Sequence, residues 1–278
     1  MVKKTQNAPD QQNRPRTFRV LDYSQAHPKI EIYFLHLITL FSLTLSLNLR
    51  AEEVTKEDLH IYLLIGQSNM AGRAPVDEAK ADPIEGVLLL NAKNEWEVAK
   101  NPLNRYSTTR KGLGMQKLNP GYSFAKAMKK NHPKATLGLV VNAKGGSSIE
   151  QWATDKKFYK DIITRAKVAQ KTGTLEGILW HQGESNSSRA KIYPGQLKAL
   201  VENLRKDLET PKLPFVAGEI KEGEKINAEI AKLSDDVPYT AVASSKGLKT
   251  MDRWHFDAPS MIALGERYAE EILKLQGK

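Results

Sequence analysis

Short apolar runs alternate along this chain with amphipathic stretches, and that alternation constrains its fold more than any other feature. Runs of four to eight residues with little polar interruption read as strands covered on both faces, and the amphipathic stretches between them read as the helices that cover them. The strands are expected at 59–65, 86–91, 136–142, 175–181, 214–220 and 239–244, and the helices at 122–131, 155–170, 189–208, 226–233 and 259–275. Strand and helix in turn predict βαβ units and an α/β fold on a parallel sheet. Asp257, just ahead of Pro259, has the side chain and position of an N-cap for the last helix. The stretch 91–121 shows no period and reads as a loop on the crevice rim. With 278 residues, 40% hydrophobic and 27% charged, the chain can bury one full domain over 52–278.

Composition removes several function classes. The chain has no cysteine, which excludes disulfides, thiolate metal sites and a cysteine nucleophile. Its net charge of +10 would suit an anionic partner if the basic residues were clustered. Instead they lie among acidic ones, as in Val201-Glu202-Asn203-Leu204-Arg205-Lys206-Asp207, the pattern of a solvated helix face rather than of a nucleic-acid surface. Residues 1–28 are polar, without apolar period, and read as a disordered leader. The run 32–47 then carries no charge and ends before Asn48-Leu49-Arg50-Ala51-Glu52. Sixteen residues are short for a membrane span, so the run is expected to be a cleaved export signal, placing the protein in a periplasm or outside the cell. Leu49 is large for the position three before such a cut, which keeps an uncleaved membrane anchor as one alternative, with a buried helix of the fold as another.

The first expected strand stops at Gly66 and would present Ser68 at its C-terminal end, where open parallel sheets keep their ligand crevice. A serine hydroxyl becomes a useful nucleophile when a histidine takes its proton and a carboxylate orients that histidine. Asp252-Arg253-Trp254-His255 follows the sixth strand, with the aspartate three residues ahead of the imidazole. That spacing lets the carboxylate reach Nδ1 and leaves Nε2 for Ser68. The other histidines fit less well: His27 and His36 lie in the leader, His60 opens a strand at the wrong end, His132 precedes Pro133, and His181 has only Glu184 nearby. Asp257 remains a rival carboxylate, and Ser147 and Ser148 rival nucleophiles. Two more stretches follow strands. Asn142 to Trp152 contains Gly145-Gly146, whose backbone N–H groups can approach a ligand, and His181-Gln182-Gly183-Glu184-Ser185-Asn186 is dense in hydrogen-bonding groups. Trp152, Trp180 and Trp254 stand near these motifs as rings on which a ligand could stack, although Trp180 at the end of an apolar run suits the core equally.

Gly66-Gln67-Ser68-Asn69-Met70, Lys144-Gly145-Gly146-Ser147, Trp180-His181-Gln182-Gly183-Glu184-Ser185 and Asp252-Arg253-Trp254-His255-Phe256 resemble, in order, the sequence blocks of the SGNH hydrolase superfamily. The resemblance is to its sialate O-acetylesterase-like domains, a group that includes family six carbohydrate esterases such as acetylxylan esterases. It implies a flavodoxin-like three-layer α/β/α sandwich around a central parallel sheet, and a serine esterase without metal or cofactor. By motif match Ser68 would be the nucleophile, His255 the general base and then acid, and Asp252 its orienting partner. The oxyanion hole would use the N–H groups of Ser68 and Gly146 and the side chain of Gln182. Gln67, Asn69, Ser147, Glu184 and Trp152 stand as candidates for substrate contact or support. Two departures stand out: the Gly-x-Asn-Asp motif common in the superfamily is replaced by Gln182 to Asn186, and Met70 occupies the place of the second glycine of an α/β-hydrolase elbow. The implied substrate is an acetylated polysaccharide such as acetylxylan, with a sialate ester or a short-chain lipid or thioester as alternatives. A metal-dependent hydrolase using His181, Glu184, Asp252 and His255 is disfavoured because its His-x-x-Glu spacing falls on a glycine-broken loop. A non-catalytic carbohydrate-binding module would have no use for an intact Ser68, Asp252 and His255.

Overall fold

The first strand, β1 (Leu59–Gly66), is buried from Ile61 onward because both its faces are covered. Ile61, Leu63 and Ile65 enter one core, and Tyr62 and Leu64 enter the other. A side-chain period of two therefore produces a continuous apolar run. The computed structural model describes residues 55–109 and 112–277. The expected leader 1–51, with its apolar run 32–47, lies outside them.

After β1 come α1 (Ser68–Ala71), β2 (Val87–Leu90), β3 (Trp96–Val98), α2 (Gly121–Asn131), β4 (Thr136–Ala143), α3 (Lys157–Ala169) and β5 (Thr174–His181). Then follow α4 (Tyr193–Asp207), β6 (Phe215–Gly218), α5 (Ile226–Ala231), α6 (Leu233–Asp236), β7 (Thr240–Ala243) and α7 (Ala258–Leu275). The seven strands run in the order β3-β2-β4-β1-β5-β6-β7, all parallel except β3. Helices α3 to α6 bury Ile162, Leu197, Leu204, Ile230 and Leu233 in the first core, while α2 and α7 bury Phe124, Met128, Leu264 and Ile272 in the second. Each such fully buried side chain contributes about 1.5–3 kcal/mol through the water-exposed area it loses. This is the expected three-layer α/β/α sandwich. β1 leads away to one side of the sheet and its neighbour β4 to the other, so the crevice of the fold opens at the C-terminal ends of these two strands.

The expected elements are all present, and the differences are local. The stretch 91–121 contains β3, which pairs with β2 through a turn in which Asn91 Oδ1 accepts from Lys93 N and Glu95 N at 2.8 and 3.0 Å. It also contains a 3₁₀ turn (Leu103–Tyr106) whose Asn104 is fully buried and pairs with both backbone groups of Ala143. Part of this stretch is thus built into the end of β4, while Met115 stays on the rim of the crevice as expected. Helix α4 begins later than expected because 184–192 is 3₁₀ structure kinked at Arg189, and Pro194 then occupies the first turn of the helix. Asp257 does cap α7, its side chain accepting from Ser260 N at 2.9 Å.

Candidate active site

Gly66 creates the turn on which the site depends. It has φ +134°, and a Cβ there would lie 2.2 Å from the carbonyl oxygen of His181. With no side chain in the way, Gln67 N donates to that same oxygen at 2.8 Å, and the chain turns into α1 with Ser68 as its first residue. Ser68 lies at the edge of a cleft of about 460 Å³ lined by Gln67, Arg73, Gly146, Glu184, Trp254 and His255, among others.

Ser68 and His255 meet across this cleft from positions 187 residues apart, with Oγ and Nε2 separated by 3.0 Å. On the far side of the ring, His255 Nδ1 and Asp252 Oδ2 are 2.7 Å apart. Asp252 Oδ1 also accepts from the backbone N–H groups of Trp254 and His255, each at 2.8 Å. Slight burial pushes the Asp252 carboxyl up, but these donors outweigh it and hold the group down to about 2. It is therefore a carboxylate at any neutral pH and fixes the imidazole with Nδ1–H toward itself and a free lone pair on Nε2. The arrangement can draw the proton from a serine hydroxyl and return it to a leaving group.

Asn69, fully buried beside Ser68, secures the loop that carries His255. Its Nδ2 donates to Trp254 O at 3.0 Å and to Glu184 Oε1 at 2.8 Å, and its Oδ1 accepts from Phe256 N at 3.2 Å. The two loop contacts fall on the residues either side of His255. His181 lies beneath the site, fully buried, and desolvation lowers its pKa to about 3, so its ring is neutral.

Ser68 and Gly146 line the same cleft, and no hydrogen-bond acceptor for either N–H is found among the described residues. Both are free to serve a developing oxyanion. Gln182 is placed differently from the expectation. It is fully buried, and its Nε2 faces Gln67 Oε1, Ser147 O and Asn186 Oδ1 at 3.0, 3.2 and 2.8 Å. Two amide protons facing three internal acceptors leave none for a ligand. Trp152 is likewise core, 1% exposed, with its Nε1 donating to Ser147 Oγ at 3.1 Å and its ring edge-on to Trp180. Neither ring is available to a sugar. Ser147 is buried by this contact, Ser148 caps a 3₁₀ turn, and Asp257 caps α7, so the rival nucleophiles and the rival carboxylate are occupied elsewhere. Of the tryptophans only Trp254 lines the cleft, with the Arg253 guanidinium 4.7 Å from its ring centre. Two wall residues were not singled out in the sequence: Arg73, whose Nη1 donates to Gly72 O and Met115 O at 2.7 and 2.8 Å, and Met115 itself, within the stretch expected on the rim. Among the described residues, no group of three or more His, Asp or Glu is arranged to hold a metal ion.

The sheet order and the serine turn at the end of β1 define an SGNH-type α/β/α hydrolase. Two solved structures share this fold at low sequence identity. One is a carbohydrate acetylesterase from Xanthomonas citri, with 18% identity, a TM-score of 0.57, and 80% of this chain and 57% of that chain covered. The other is a GDSL-like lipase, described as putative, from Parabacteroides merdae, with 12% identity, a TM-score of 0.51, and 80% and 97% covered. A probable carbohydrate esterase of Arabidopsis thaliana is nearer, 31% identical over 238 residues that span 77% of this chain and 90% of that protein. An Arabidopsis thaliana protein solved by X-ray crystallography superposes with a TM-score of 0.70 at 30% identity, covering 77% of this chain and 98% of that chain. Residues 58–274 match the family described as carbohydrate esterase, sialic acid-specific acetylesterase. The chain belongs to that family, and by class it is an ester hydrolase acting on acetylated carbohydrate.

Proposed function

We propose that the protein removes O-acetyl groups from a polysaccharide such as acetylxylan, with Ser68, His255 and Asp252 as its catalytic triad and an acetyl-enzyme as intermediate. The observation that carries this reading is the pair of contacts at His255, 3.0 Å to Ser68 Oγ and 2.7 Å to Asp252 Oδ2. Ser68 Oγ attacks the acetyl carbonyl as His255 takes its proton, and the N–H groups of Ser68 and Gly146 receive the oxyanion. His255 then protonates the departing sugar hydroxyl. Water, deprotonated by the same ring, releases acetate and restores Ser68. Acetate release from p-nitrophenyl acetate and acetylated xylan, with Ser68→Ala and with EDTA, tests it. Activity that resists EDTA and vanishes in the variant supports the triad, and activity that survives the variant rejects it.

A second reading within the family is a sialate O-acetylesterase, favoured by the Arg73 cation on the cleft wall, which suits an anionic sugar. Preference for O-acetylated sialic acid over acetylated xylan, lost in Arg73→Ala, would select it. Export through the apolar run 32–47 belongs to the same proposal and is checked by fractionating cells that express the full chain.

A further inference from the structure

The side-chain amide of Gln67 is held by its oxygen alone. Gln67 Oε1 accepts from Gln182 Nε2, Gly183 N and Ser185 N at 3.0, 3.3 and 3.4 Å. A backbone N–H can only donate, so the two loop residues fix which end of the amide is the oxygen. The direction of the Gln182 amide is fixed in the same way. Its Nε2 lies 3.2 Å from Ser147 O and 2.8 Å from Asn186 Oδ1, and that Oδ1 also accepts from Ile149 N at 3.0 Å. Gln182 therefore cannot turn over and take a proton from Gln67.

The opposite end of the Gln67 amide, Nε2, makes no hydrogen bond among the described residues and is not one of the polar atoms sealed from solvent. Gln67 is only 3% exposed and it lines the catalytic cleft, so the cleft is where this nitrogen opens. Its place there follows from its neighbours. Along the chain Gln67 precedes Ser68, and across the site Gln182 Nε2 ties it to Ser147, the residue after Gly146. The amide thus stands between the two residues whose backbone N–H groups have no acceptor among the described residues. A Cβ on Gly146 would meet nothing within 4 Å, so that donor also looks onto open cleft. An acyl oxygen offers lone pairs only, and donors alone can hold it in such a place.

We propose that Gln67 Nε2 donates a third hydrogen bond to the acyl oxygen as Ser68 attacks, beside the N–H groups of Ser68 and Gly146, which makes Gln67 a catalytic residue. The oxygen gains negative charge as Ser68 Oγ bonds to the acyl carbon and returns it when the alcohol departs; the Gln67 amide keeps both its protons throughout. Because its oxygen is already fixed by three donors, the nitrogen needs no reorientation as the charge develops. The anchoring is redundant. Without the Gln182 side chain, Gly183 N and Ser185 N still hold Oε1, so the donor stays aimed.

This inference rests on the esterase reading, and p-nitrophenyl acetate suits its test because the leaving group has no sugar to bind. Gln67→Glu keeps an acceptor for all three anchoring donors and puts a second oxygen where the nitrogen was. Gln67→Met removes the donor without adding charge. At about pH 8 both variants are expected to lower kcat about a hundredfold, the contribution of one oxyanion donor, with KM changed less than about threefold. The affinity of phenylboronic acid, which forms a tetrahedral adduct on a reactive serine, should fall about tenfold or more in each, a change that a purely structural role would not produce in a folded protein. If Gln67→Met unfolds, Gln67→Glu decides, since its anchoring bonds remain. A folded variant with kcat within about threefold of wild type overturns the proposal, being far short of the loss of an oxyanion donor. A raised KM for acetylated xylan with p-nitrophenyl acetate turnover untouched also overturns it and makes Gln67 a sugar contact. An inactive wild type, or acetate release that survives Ser68→Ala, contradicts the esterase reading itself, and the proposal falls with it.

Discussion

Ser68 and His255 meet at 3.0 Å, yet the chain holds them by different means. Ser68 sits at the end of the central strand, whose side chains are buried on both faces and whose exit is fixed by Gly66 against His181. Its position belongs to the sheet. His255 sits on a loop that closes on itself through the Thr250–Phe256 bridge, the Met251 N to His255 O bond at 2.8 Å and the Asp252 carboxylate. The side chain of Asp252 is 54% exposed. One half of the site is scaffold and the other is a local hydrogen-bonded device fastened through Asn69. Damage to the first half should therefore appear mainly in stability, and damage to the second mainly in rate.

The largest expected effect tests the chemistry shared by both halves. Ser68→Ala should lower kcat for acetate release about a million-fold while leaving the fold intact, because only the nucleophile is removed. Asp252→Asn should lower kcat by about ten-thousandfold, since the amide no longer enforces the ring tautomer, with little change in Tm at so exposed a site. A large drop in Tm for this variant would break the contrast drawn above. Gly66→Ala should behave in the opposite way and cost about 3 kcal/mol or more in denaturant unfolding, through left-handed strain and a Cβ pressed to 2.2 Å from the His181 carbonyl. Gln182→Ala sharpens the comparison with the smallest effect. It should cost about 2 kcal/mol of stability by leaving the buried Ser147 O without its donor, while kcat falls by less than about tenfold. A hundredfold loss in kcat with normal stability would restore Gln182 to the oxyanion hole.

The layered fold was legible because a strand covered on both faces must be apolar throughout, and because Asp257 and Pro259 mark a helix start by local chemistry alone. The proposed triad was legible because Ser68 follows a strand end and Asp252 and His255 share one short motif in the loop after β7. Strand β3 was hidden by its length: Trp96-Glu97-Val98 has only three residues and is partly exposed, so it leaves no apolar run. The direction of the Gln182 amide was hidden for another reason. It depends on Gln67 and Ser147, 115 and 35 residues away, and no spacing rule reports which way a side chain turns at a strand end. Asn69 belongs with Gln182, since its contacts with Glu184 and Phe256 span 115 and 187 residues. Arg73 and Met115 reach the cleft wall from loops that carry no periodic signal.

The central claim is that His255 activates Ser68, and labelling with a serine-directed organophosphate followed by peptide mass spectrometry tests it most directly. The geometry predicts one label per chain, on Ser68, absent from Ser68→Ala and slowed by orders of magnitude in His255→Ala. A label on Ser147 or Ser148, or undiminished labelling of Ser68 without His255, would contradict it.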